Sequence, residues 1–119
     1  MEIHERAAGA VTVLQPVGRL VLSEGSRDSL LKDMICARMT EGRRHFLLDL
    51  AQVSQIDTSG LTMLVAAHMA AVKRGGQIKL LHPTKRIHEL LSVTKLNTFF
   101  EVFDSEESAL RSFPPGAAV

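Results

Sequence analysis

The strongest constraint on the fold lies between His45 and Leu61. There Phe46-Leu47-Leu48 runs into Asp49-Leu50, then a short polar stretch, then Ile56-Asp57-Thr58-Ser59-Gly60-Leu61. A continuous apolar run of this length suits a central strand covered on both faces. The Asp-Thr-Ser-Gly that follows consists of capping and turn residues. It predicts a loop and then a helix mouth, with the helix beginning at Thr58 or Ser59. A buried strand feeding a helix is the building unit of an α/β domain with crossover connections. The same arrangement puts the Thr58 and Ser59 hydroxyls at the positive end of a helix, where an added phosphate would be partly stabilised.

The rest of the chain supports this reading. Glu2 to Ala7 and Ala10 to Val17, separated by Ala8-Gly9, read as a hairpin, with Val11, Val13 and Val17 on one side. Pro16 lacks a ladder donor and Gly18 should end the strand, so this segment is expected to finish near a sheet edge or in a loop. From Ser26 the spacing becomes helical through Leu30, Leu31, Met34, Ile35 and Met39, and Gly42 ends the helix. The second helix runs to Lys73-Arg74 and stops at Gly75-Gly76, with an expected core stripe of Leu61, Leu64, Val65, His68 or Met69, and Val72. Ile78 to Leu81 reads as a strand. Pro83 precedes a third helix through Ile87, Leu90, Leu91 and Val93. Phe99 to Phe103 reads as a last strand or extended edge segment, and Asp104-Ser105 caps a short helix carrying Ala109, Leu110 and Phe113. The expected fold class is therefore α/β: one domain over residues 1–113, a mixed sheet of about four to five strands and about four helices. Residues 114–119, Pro-Pro-Gly-Ala-Ala-Val, are expected to form a disordered tail.

Composition limits the function. A length of 119 residues suits one core, and a formal net charge of +1 supplies no field for nucleic acid or an anionic membrane. The single cysteine, Cys36, reads as a core residue of a protein from a reducing compartment. No apolar stretch reaches membrane-spanning length and the N-terminus lacks a signal-peptide pattern, so a cytoplasmic location is expected. The five histidines form no ligand pattern for a metal. Gly-x-Ser-x-Gly and Walker patterns are both absent, so no enzyme activity, cofactor or metal is expected. Lys85-Arg86 and Arg43-Arg44 read as solvated surface rather than nucleic-acid contacts.

At the helix mouth two readings compete. Asp57 or Thr58 could serve simply as an N-cap, with Gly60 easing the turn. Two adjacent hydroxyls beside an acid nevertheless exceed what one cap requires. Phosphate on Thr58 would be favoured by the helix dipole and opposed by the Asp57 carboxylate.

The stretch from Phe46-Leu-Leu-Asp-Leu50 through Ile56-Asp-Thr-Ser-Gly-Leu61 resembles the signature of STAS domains, specifically of anti-sigma factor antagonists. The resemblance extends to the Val11–Gly18 strand, the Gly75-Gly76 turn, Leu80-Leu81-His82-Pro83 and Phe103–Leu110. It implies that Thr58 is the phosphoacceptor, with Ser59 the alternate, and that Asp57, Thr58, Ser59, Gly60 and Thr62 meet the partner. The implied partner is an anti-sigma factor with serine-kinase activity, bound by the unphosphorylated form and released by the phosphorylated one, with a phosphatase to reset the switch. The chain itself is expected to be a monomer or weak homodimer. Thr58 stands where serine is the more usual acceptor, and Thr62 where glycine is frequent. The rival reading is a scaffold or transporter-associated module that binds its partner without phosphorylation.

Overall fold

The computed structural model describes residues 2–20 and 30–113. Two strands, β1 (Glu2–Ala8) and β2 (Val11–Leu20), form the expected antiparallel hairpin about Gly9, whose φ of +65° suits a residue without a side chain. They are followed by α1 (Leu30–Thr40), β3 (His45–Asp49), β4 (Val53–Ile56), α2 (Thr58–Lys73), β5 (Gln77–Leu81), α3 (Lys85–Val93), a 3₁₀ turn at Leu96–Thr98, β6 (Val102–Phe103) and α4 (Glu106–Arg111). The strands lie in the order β1-β2-β3-β5-β6, antiparallel at β1 and parallel beyond, while β4 pairs with the far end of β2. The α/β class and the mixed sheet are as expected, but the sheet has six strands. The addition is β4, whose central Ser54 and Gln55 are exposed and leave only its ends apolar.

Alternation along the strands separates two cores. Leu14, Phe46, Leu48, Ile78 and Leu80 face Leu31 and Ile35 of α1, Leu61, Leu64, Ala67 and Ala71 of α2, and Ile87 and Leu91 of α3. On the opposite face Val11, Val13, Leu47 and Leu81 meet Ala109 and Phe113 at α4. The run from Phe46 to Leu48 is apolar throughout because both faces of β3 are covered.

Four expectations need correction. First, β2 does not end at Gly18. Its pairing with β3 stops at Leu14 and its pairing with β4 starts at Gly18, so Pro16 falls where neither ladder needs its missing N–H. Gly18, at φ +111°, stands at a register shift within the β2–β4 pairing, between Gly18 and Arg19. Second, the α2 core stripe is rotated toward Ala67 and Ala71, leaving Met69 49% and Val72 51% exposed. Third, Val93 is 80% exposed and belongs to no core. Fourth, the Phe99–Phe103 strand shortens to Val102–Phe103, with Phe100 turned inward behind the 3₁₀ turn. The expected start of the first helix at Ser26 and the tail lie outside the described residues. Cys36 is half-buried on α1, at the margin of the core.

Candidate functional site

The helix mouth is built by Asp57. Its backbone is extended, its Oδ1 accepts the Gly60 N–H at 3.0 Å, and its carbonyl accepts the Leu61 N–H at 3.1 Å. Asp57 is therefore the N-cap and Thr58 the first helical residue. The same Oδ1 accepts the Ser59 hydroxyl at 2.5 Å. One carboxylate thus holds a backbone donor and a side-chain donor, fixing the first turn.

Gly60 is buried, and the reason is steric. A Cβ at this position would sit 2.2 Å from the Leu20 carbonyl oxygen and 3.1 Å from Ile56 Cγ1. The end of β2 and the first turn of α2 therefore touch backbone to backbone, which sets the height of the mouth above the sheet. At the other end of α2, a Cβ on Gly76 would lie 1.9 Å from the Arg44 carbonyl oxygen. Glycines thus fix both ends of the helix against the sheet.

Thr58 is exposed, and no hydrogen bond to its hydroxyl is found among the described residues. Its carbonyl accepts the Thr62 hydroxyl at 2.8 Å, and Thr62 is likewise exposed. Asp57 and Ser59 are half-buried. The sequence-predicted residues therefore divide by role: Asp57, Ser59 and Gly60 shape the turn, while Thr58 and Thr62 present surface.

Beside Thr58 runs an open, mainly apolar groove lined by Thr58, Leu61, Thr62, Val65, Thr94 and Leu96. Its far wall was not legible in the sequence, because Thr94 and Leu96 lie more than 30 residues downstream. Lys95, at φ +63°, turns the chain between them, and the Leu96 carbonyl accepts the Phe99 and Phe100 N–H groups at 2.9 and 3.0 Å. The only hint in the sequence is a leucine isolated within the polar segment Thr94-Lys95-Leu96-Asn97-Thr98. Further along α2, Met69 and Val72 continue the exposed apolar face.

Two histidines are perturbed. Burial pushes the His68 imidazole below its usual value. His45 is also lowered, by burial first and then by the charges of Arg44 and Lys79. Among the described residues no group of His, Cys, Asp and Glu side chains is arranged to hold a metal ion, and no helix is long and apolar enough to cross a membrane.

This fold, a mixed sheet with helices on both faces, has counterparts in known proteins. The STAS domain model matches residues 6–109, and the chain belongs to that family. Within it, the chain is 27% identical over 96 residues to an anti-sigma F factor antagonist from Paenibacillus polymyxa, covering 76% of this chain and 82% of that one. Its fold matches the Thermotoga maritima protein TM1081 at a TM-score of 0.82, with 22% identity and 92% of each chain covered. The Bacillus cell fate determinant SpoIIAA in its phosphorylated form matches at a TM-score of 0.69, with 15% identity, covering 92% of this chain and 97% of that one.

Proposed function

We propose that this protein is an anti-sigma factor antagonist switched by phosphorylation of Thr58. Unphosphorylated, it docks an anti-sigma factor that is also a serine kinase. The groove beside Thr58 and the exposed side of α2 form the contact, with Asp57, Ser59 and Gly60 holding the turn and Thr62 lining the groove beside Thr58. The kinase transfers the γ-phosphoryl group of ATP to the Thr58 oxygen; ADP leaves, and the hydroxyl proton passes to a kinase base or to water. A phosphatase hydrolyses the ester to restore the alcohol. The chain supplies an acceptor and a surface, and no catalytic group.

One observation carries this reading. Of the two adjacent hydroxyls, Ser59 is held by the Asp57 carboxylate, whereas Thr58 stands exposed at the rim of an apolar groove. This difference supports Thr58, rather than Ser59, as the acceptor. A phosphoryl group there adds about −1.5 to −2 charges, which the helix dipole tolerates. A partner covering the groove would have to desolvate that charge beside Leu61, Val65 and Leu96. The similarity to an anti-sigma F factor antagonist and to a protein solved in a phosphorylated form supports the same reading.

The test uses a candidate anti-sigma factor kinase from the genome that encodes this chain. Incubation with that kinase and ATP should add one phosphoryl group by intact mass, abolished in Thr58→Ala and retained in Ser59→Ala. Thr58→Asp should weaken kinase binding at least tenfold relative to Thr58→Ala, about 1.4 kcal/mol. Equal affinities for the two variants, with no mass gain, would favour a phosphorylation-independent scaffold.

A further inference from the structure

The groove has two walls that are far apart in sequence, and one side chain joins the elements that carry them. His68 lies on α2, one turn beyond the groove residue Val65. Its Nδ1 accepts the Ile78 N–H of β5 at 3.1 Å. Gln77 donates to the β3 side, to the Arg44 carbonyl, and pairing with β6 begins only at Leu80, so the imidazole fills an acceptor position that no strand occupies. The His68 ring also meets the Phe99 ring edge-on at 5.1 Å and the Phe100 ring at 5.3 Å. Those two residues donate their N–H groups to the Leu96 carbonyl, which fixes the opposite wall.

We propose that His68, as a neutral imidazole, is the positioning residue of the docking groove, and that a proton on its Nδ1 loosens the Leu96 wall from α2 and weakens docking. The docking half of this statement rests on the proposed function; the structural half does not. With Nδ1 accepting, the neutral ring carries its proton on Nε2. Protonation converts Nδ1 from acceptor to donor, so two N–H groups face each other and the Ile78 amide loses its partner. Among the described residues the groups found against the ring are uncharged: the Ile78 amide from β5 and the Phe99 and Phe100 rings from the segment after α3. Of the charged residues on those elements, Lys79 and Glu101 pair with each other next to α4, on the other side of the sheet, and Lys73 and Lys95 are exposed. Among the described residues no carboxylate is therefore in place to stabilise an imidazolium. Burial independently disfavours the charged form, which places the transition on the acid side of the ordinary 6.5.

The test follows the methyl resonances of Leu61, Val65 and Leu96 in the intact chain from about pH 7.5 to about pH 5. These methyls should titrate with one midpoint, shared with the His68 ring protons and below 6.5. In His68→Asn the amide oxygen stands where Nδ1 stood but does not titrate, so the methyl transition should vanish while the Ile78 amide stays protected from exchange. Affinity for the same candidate anti-sigma factor kinase should fall severalfold on acidification in the wild type and remain flat with pH in His68→Asn. Methyls that ignore the His68 titration, or a transition that survives in His68→Asn, overturn the inference. Loss of kinase binding at every pH with the methyl titration intact would overturn the proposed function instead. Should His68→Asn fold poorly, the wild-type comparison of ring and methyl midpoints decides alone.

Discussion

Gly60→Ala is the most informative single change, because two magnitudes oppose each other there. On propensity, alanine should be better than glycine in a helix by up to about 1 kcal/mol. The structure reverses the sign. The new Cβ would lie 2.2 Å from the Leu20 carbonyl oxygen, against an ordinary contact of 3.4 Å or more, so α2 and β2 must separate by about 1.2 Å. The obstacle is backbone in a paired strand, which cannot rotate aside as a side chain would. Overpacking of this kind costs about 1–3 kcal/mol or more, so a net loss of about 2 kcal/mol is expected after the propensity gain. With a urea m-value of about 1–3 kcal/mol/M, the unfolding midpoint should fall by roughly 1 M. Lifting the first turn should also displace Asp57 and Thr58, weakening kinase docking beyond the stability effect. A midpoint equal to or above that of the wild type would refute the idea that backbone contact sets the position of the helix mouth.

Other changes probe separate parts of the argument. Asp57→Ala removes the acceptor of both the Gly60 N–H and the Ser59 hydroxyl and should cost about 1–2 kcal/mol in denaturant unfolding, while Ser59→Ala, which leaves the backbone cap in place, should cost less. Lys79→Met keeps the buried stem but removes an ammonium that donates to the Ser112 carbonyl at 3.0 Å and its hydroxyl at 2.8 Å and pairs with Glu101 at 2.6 Å. Hydrogen exchange should quicken in α4 and leave α2 unchanged, because Ser112 ends α4. His45 and His68 are both held below the ordinary 6.5, so the folded state binds fewer protons than the unfolded one. Their contribution to stability is complete above 6.5 and is lost as pH falls toward the folded values; a thermal unfolding series should show the decline, and it should shrink in His68→Asn.

Legibility in the sequence followed how local each cause is. The caps at Asp57 and Ser105 and the stop at Gly75 act within a turn of themselves, and each helix start or end that they mark is where the residue types place it. The second helix was harder because hydrophobicity alone ranks Met69 and Val72 above Ala67 and Ala71. In the structure α2 packs closely against α1 and β5, so the small residues are inside and the larger ones outside. Strand β4 was invisible for a different reason. Its four residues gain their identity from Gly18, Arg19 and Leu20 of β2, which no local pattern around Val53 reveals. The groove shares that difficulty, since Leu96 joins Thr58 only through the turn at Lys95.

The two hydroxyls show what sequence and structure each contribute at the site. From the residues alone Thr58 and Ser59 are two adjacent candidate hydroxyls, and it is the resemblance that puts Thr58 at the acceptor position, with Ser59 the alternate. The helix separates them by about 100° of rotation per residue, which turns Ser59 back over the cap and Thr58 outward. Once Asp57 holds Ser59 and Gly60, its carboxylate is already engaged by two donors, so part of its repulsion toward a phosphoryl group on Thr58 is offset within the turn. On the proposed function, Ser59 acts on the switch through Asp57, whose carboxylate it engages beside the position where phosphate would be added. The extra methyl of Thr58 fits the same picture, because its neighbours in the groove, Leu61 and Val65, are apolar and can receive it while the oxygen remains exposed to an incoming kinase.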